Sequence, residues 1–166
     1  MLRTTARPIV GIMGPGTAVG AEQQLAHDLG KAIAQQDWVL LTGGRPAGVM
    51  AAASRGAASA GGIVLGILPD AHGTQVAAGV TVPIVTGLGS ARNAINVLSS
   101  HAIIACGLGL GTVSEIALAL KAQKPVVIMP HNAPAQALFE HLAPGQFQML
   151  NEVDACMGYL RSVLEP

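Results

Sequence analysis

"AIIACGLGLGTVSEIALALKAQKPVVIM" (102–129) decides how this chain folds. It opens with an unbroken apolar run, 102–106, the signature of a strand buried on both faces. A glycine-rich loop follows, then an apolar helix pattern over 112–123. A second apolar run, 125–129, is marked off by Pro125. Strand, helix and strand in this order imply a parallel pair joined by a crossover helix.

The same alternation extends outward in both directions. "PIVGIM" (8–13), "WVLLT" (38–42), "IVLGIL" (63–68) and "VPIVT" (82–86) read as further buried strands. Between them, 21–36 places Leu25, Leu29 and Ile33 on one helical face, 48–62 is an alanine-rich helix stopped by two glycines, and 90–100 is a third helix. Downstream, 133–142 and 153–164 read as helices around a short strand at 147–150. No linker, charge block or internal repeat interrupts the pattern. The expectation is α/β: a single Rossmann-like doubly wound domain over 1–166, with a mostly parallel sheet and helices on both faces.

Composition narrows the classes of function. Charged residues make up 11% of the chain and apolar ones 51%, against about 25% charged in an average soluble domain. So little polar surface points to a membrane or to burial in an oligomer. No run approaches the roughly 20 apolar residues of a membrane span, so burial in an oligomer is expected. The apolar run after the first two arginines is too short for a signal peptide, which implies a cytoplasmic protein. Net charge is zero, with one Trp, one Tyr and two Phe. That argues against a nucleic-acid binder, which needs basic excess and stacking rings. The five histidines show no metal-ligand spacing, and Cys106 reads more readily as a small buried residue than as a reactive thiolate.

In a doubly wound sheet, ligands bind beyond the carboxyl ends of the strands. Four glycine-rich loops sit there. They are Gly14-Pro15-Gly16-Thr17; Thr42-Gly43-Gly44-Arg45 running to Gly48; the loop ending in Ser90, Arg92 and Asn93; and Gly107-Leu108-Gly109-Leu110-Gly111-Thr112. Glycine lets backbone N–H groups approach a ligand, and each loop feeds a helix start with partial positive charge. The ligand implied is an anion, most naturally a phosphate, with Arg45 and Arg92 as guanidinium partners. Asp70 and His72 are weaker candidates at the pocket edge. The dinucleotide fingerprint fails, because Val19 stands where its third glycine belongs and no acid closes the second strand. The P-loop pattern is absent as well. Thr112-x-x-Glu115 has the spacing of a capping box, yet it also sets a carboxylate beside the anion cradle. Both roles stay open for Glu115.

"VTGLGSARNAINVLSS" (85–100), with "LTGGRPAGVMAAASRGAASAGG" and "GLGLGTVSEIALALKAQKPVV", resembles the Lonely-Guy-like ("possible lysine decarboxylase") superfamily. Within it the chain is most similar to the molybdenum cofactor carrier proteins of algae and cyanobacteria. The resemblance implies a homodimer or homotetramer that binds and protects the molybdenum cofactor, a pyranopterin phosphate. It also implies apo-forms of molybdenum enzymes as recipients. The enzymatic branch hydrolyses nucleoside 5′-monophosphates with the signature P-G-G-x-G-T-x-x-E and a separate arginine. Here Glu115, Thr112, Gly109, Gly111 and Arg92 match those positions, whereas Gly107 and Leu108 replace the leading Pro-Gly. A carrier is therefore the first expectation and a phosphoribohydrolase using Arg92 and Glu115 the alternative.

Overall fold

The computed structural model describes residues 6–165. The signal-peptide reading rests in part on residues 1–5, which lie outside the described residues. The strands are β1 (Ile9–Met13), β2 (Val39–Thr42), β3 (Val64–Leu68), β4 (Val82–Val85), β5 (Ala102–Cys106), β6 (Val126–Met129) and β7 (Gln148–Met149). The helices are α1 (Ala21–Gln35), α2 (Gly48–Ser59), α3 (Asn93–Ser99), α4 (Leu110–Lys121), α5 (Ala133–Leu142) and α6 (Val153–Leu164). A 3-10 turn, Gly89–Arg92, leads into α3.

All seven strands form one sheet in the order β4-β3-β2-β1-β5-β6-β7, and every pairing is parallel. The chain builds outward from β1 to β4, then returns to lay β5 on the other side of β1. In register, Val10 faces both Leu40-side and Ala102-side neighbours through the centre of the sheet. That reversal creates a crevice above β1 and β5, the usual ligand position in such folds.

Two apolar layers hold the sheet. Leu29 and Ile33 of α1 sit one turn apart and are fully buried with Val49 of α2 and Leu160 of α6 on one face. Ile116 of α4 and Phe139 of α5 pack with Ile103 on the other. Each such side chain contributes about 1.5–3 kcal/mol by leaving water. The α1–α2 crossing is unusually close. A Cβ on Gly56 would overlap the His27 carbonyl, and one on Gly30 would overlap that of Ala53. Both glycines are there because backbone meets backbone.

The helical cover stops short of β4, all four of whose residues are exposed at the sheet edge. Val82, Ile84 and Val85 face solvent there, and Leu98, Leu118 and Leu142 do so on the α3–α4–α5 side. Among the described residues no helix is long and apolar enough to cross a membrane.

Candidate functional site

The loops after β1, β2 and β5 close around a cavity of about 300 Å³ at the crevice. Gly14, Pro15 and Gly16 form one wall, Gly43 and Arg45 a second, and Gly109, Leu110, Gly111 and Thr112 a third. Arg92, Asn93 and Glu115 also line it. The fourth expected loop falls short: only Arg92 and Asn93, beyond its glycines, reach the cavity, and Ser90 is exposed outside it.

Several expected contacts prove structural. Thr42 is fully buried beneath the cavity, and its Oγ1 accepts a hydrogen bond from the Gly44 N–H at 3.0 Å. Gly44 adopts a left-handed φ of 73° and packs on Gly66, so it serves the turn. Gly48 starts α2 against the Pro15 carbonyl, and Gly107 turns at φ 74° beside the Glu22 carboxylate. Neither these glycines nor Thr17 and Leu108 line the cavity. Asp70 and His72 also lie away from it. Asp70 accepts hydrogen bonds from the backbone of His72 and Gly73, which hold its carboxyl below the ordinary range. Cys106 is fully buried, and desolvation pushes its thiol up to about 12, so no thiolate forms near neutral pH.

The capping box does not form. The helix begins three residues earlier than its spacing suggests, with Gly109 as N-cap and Val113 N–H bonded to its carbonyl at 2.9 Å. Glu115 therefore lies in the second turn, too far along to reach back to the cap. Only backbone caps this helix, whereas Asn132 caps α5 with its side chain, accepting from Ala135 N–H at 3.0 Å. The amides of Leu110, Gly111 and Thr112 are left facing the cavity end, a ready anion seat.

Glu115 is 6% exposed, and its Oε1 accepts from Asn96 Nδ2 at 2.8 Å. Burial raises its carboxyl above the ordinary range, while the Asn96 hydrogen bond and the Arg92 charge oppose that rise. Arg92 is 9% exposed. Its burial lowers the guanidinium's pKa, Glu115 counteracts, and nearby Arg45 adds repulsion. No Arg92–Glu115 ion pair closes to 4.0 Å among the described residues. Arg45 is exposed and likewise faces no carboxylate within that distance among them.

Ile12, Met13, Met50 and Asn96 also line the cavity and were missed by attention to loops alone. Asn96 was discoverable, because it stands four residues after Arg92 and so shares its helical face. Met13 and Met50 belong to a strand end and a helix, with no local signal to mark them.

The chain and its fold are similar to known proteins. The molybdenum cofactor binding protein from the phototrophic bacterium Rippkaea orientalis is 48% identical, covers 97% of this chain and 99% of its own, and superposes with a TM-score of 0.95. The molybdenum cofactor carrier protein from Chlamydomonas reinhardtii is 43% identical over 97% of this chain and 100% of its own, with a TM-score of 0.91. An uncharacterized protein of Archaeoglobus fulgidus is 42% identical over 117 residues, 70% of this chain and 76% of that one. With residues 7–157 matched by its model, this chain belongs to the SLOG cluster4 family.

Proposed function

We propose that this protein binds, protects and delivers molybdenum cofactor, acting as a homo-oligomeric carrier. The observation that carries the reading is the cavity itself. Three glycine-rich walls, the free amides at the start of α4, and two arginines converge where the strand order reverses. Such a site holds an oxidation-prone pterin phosphate by backbone and charge. None of Trp38, Phe139, Phe147 or Tyr159 is among its lining residues, so the ring is gripped without aromatic stacking. Two relatives that share 43–48% of their residues over nearly the full length bear names stating the same ligand.

Apolar Leu98 and Leu118, exposed beside Ala94 and Ala122, support association of copies through α3 and α4. Apo-forms of molybdenum enzymes would be the recipients, in the cytoplasm. The phosphoribohydrolase alternative is not favoured: Gly107 and Leu108 stand where its signature has Pro-Gly.

The test is retention. Purified protein is loaded with the cofactor, held in air, and then offered to an apo-molybdenum enzyme whose recovered activity is timed. The wild type is expected to preserve cofactor that decays when free, and Arg92→Ala to lose that protection while remaining folded. Decay at the free rate would refute the carrier reading. Base release from adenosine monophosphate that disappears in Glu115→Ala would replace it with the hydrolase.

A further inference from the structure

The inner wall of the cavity holds polar groups that the protein itself leaves unused. Asn96 is fully buried, and its Oδ1 has no hydrogen-bond partner among the described residues. Arg92 Nε is equally closed to solvent and unpartnered. Buried groups without partners are costly, so two on one helical face are not packing accidents. Beside them, Glu115 spends only Oε1 on Asn96.

Two soft side chains, Met13 and Met50, line the cavity beside this wall. Met13 Sδ lies 3.8 Å from Asn96 Nδ2. Met50 Sδ converges with the Arg92 guanidinium over the Gly43 Cα. Unbranched thioethers rotate readily, and they make favourable contacts with aromatic rings. A flat ring entering here can displace the two methionines sideways and reach the polar groups behind.

The geometry points to this wall as the subsite for the ligand's heterocycle, reading the edge of a 2-aminopyrimidin-4-one ring. Arg92 Nε donates to the ring oxo group, Asn96 Oδ1 accepts from the ring N–H, and Glu115 Oε2 accepts from the exocyclic amino group. One donor and two acceptors complement an edge that offers one acceptor and two donors. A 2,4-dioxo ring lacks the amino donor and leaves Glu115 facing an oxygen. An adenine edge supplies too few donors. The assignment rests on the pterin-carrier reading and extends it: the phosphate end falls to Arg45 and the loop amides, and the ring to Arg92, Asn96 and Glu115.

The probes are 6-hydroxymethylpterin and 6-hydroxymethyllumazine, which differ in a 2-amino against a 2-oxo group and the N1 hydrogen that goes with the latter. Each is titrated by fluorescence into the full chain. The wild type is expected to bind the pterin about tenfold or more tightly, the scale of one hydrogen bond to a charged group. Glu115→Gln, isosteric and able to donate to the 2-oxo group, should erase or invert that preference. Asn96→Ala should weaken both probes about tenfold. Should Asn96→Ala fail to fold, the Glu115→Gln ratio carries the test alone. Equal wild-type affinity for both probes, in protein that still retains molybdenum cofactor, would overturn the ring assignment and leave the carrier reading standing. Loss of both pterin binding and cofactor retention would overturn the two together.

Discussion

Gly43→Ala tests the site with a single added methyl group. Gly43 does not sit in the left-handed region, so alanine fits its backbone. A Cβ there would stand closest to Arg92 Nη1, and 2.7 Å from both Arg92 Nη2 and Met50 Sδ. Ordinary contact begins at 3.4 Å, so the guanidinium must retreat by at least about 0.7 Å. Both neighbours are the far ends of flexible chains, and the strand beneath need not move. Stability should change by no more than about 1 kcal/mol. Binding should suffer more. A hydrogen bond to a charged group contributes about 1.5–3 kcal/mol, and each 1.4 kcal/mol is tenfold. Misplacing Arg92 should therefore weaken cofactor or pterin binding by roughly 10- to 150-fold. Titration calorimetry on wild type and variant, paired with thermal melts, reads both quantities. Wild-type affinity in the variant would show that Arg92's position against Gly43 is irrelevant to the ligand, and would refute the site as described.

Other consequences can be checked independently. Gly56→Ala should lower stability by about 2 kcal/mol, because a Cβ forced against the His27 backbone costs about 3 kcal/mol, the upper end of overpacking, against a helix-propensity gain of about 1 kcal/mol; an unchanged or higher melting temperature would contradict the close crossing. Glu115 binds its proton more tightly folded than unfolded, so wild-type stability should fall as pH climbs from the ordinary glutamate value towards its raised one. Glu115→Gln should flatten that fall, and identical melting curves from about pH 4 to about pH 8 would exclude the effect. Leu98→Asp places a charge on an exposed apolar groove and should reduce the mass seen in sedimentation velocity; an unaltered mass would move the subunit contact elsewhere.

Most of the architecture was legible because parallel strands covered on both faces must be apolar throughout. Runs such as Ile103–Ala105 and Val126–Met129 have few other uses. The start of α4 was misread for a physical reason. Thr112 and Glu115 have capping chemistry, yet Gly109 caps by backbone alone and leaves no side-chain signature. Glycines were ambiguous in the same way: Gly44 and Gly48 answer to positive φ and close backbone approach, Gly43 to the space Arg92 needs. The Asn96–Glu115 hydrogen bond spans α3 and α4, and the approach of Met50 to Arg92 spans still more chain. Contacts of that kind arise from the sheet's topology, not from local spacing.

Arg45 has a consequence for release. It stands at the solvent side of the cavity with no carboxylate within 4.0 Å among the described residues. Whatever anionic group it attracts is reached by mobile counterions, so part of the grip weakens as ionic strength rises. A docking protein that brings an acidic patch to the cavity mouth would act as a concentrated local salt. It would loosen the charged end of the cargo while the buried wall still held the rest. On the carrier reading proposed above, the recipient's surface charge would then pace hand-over.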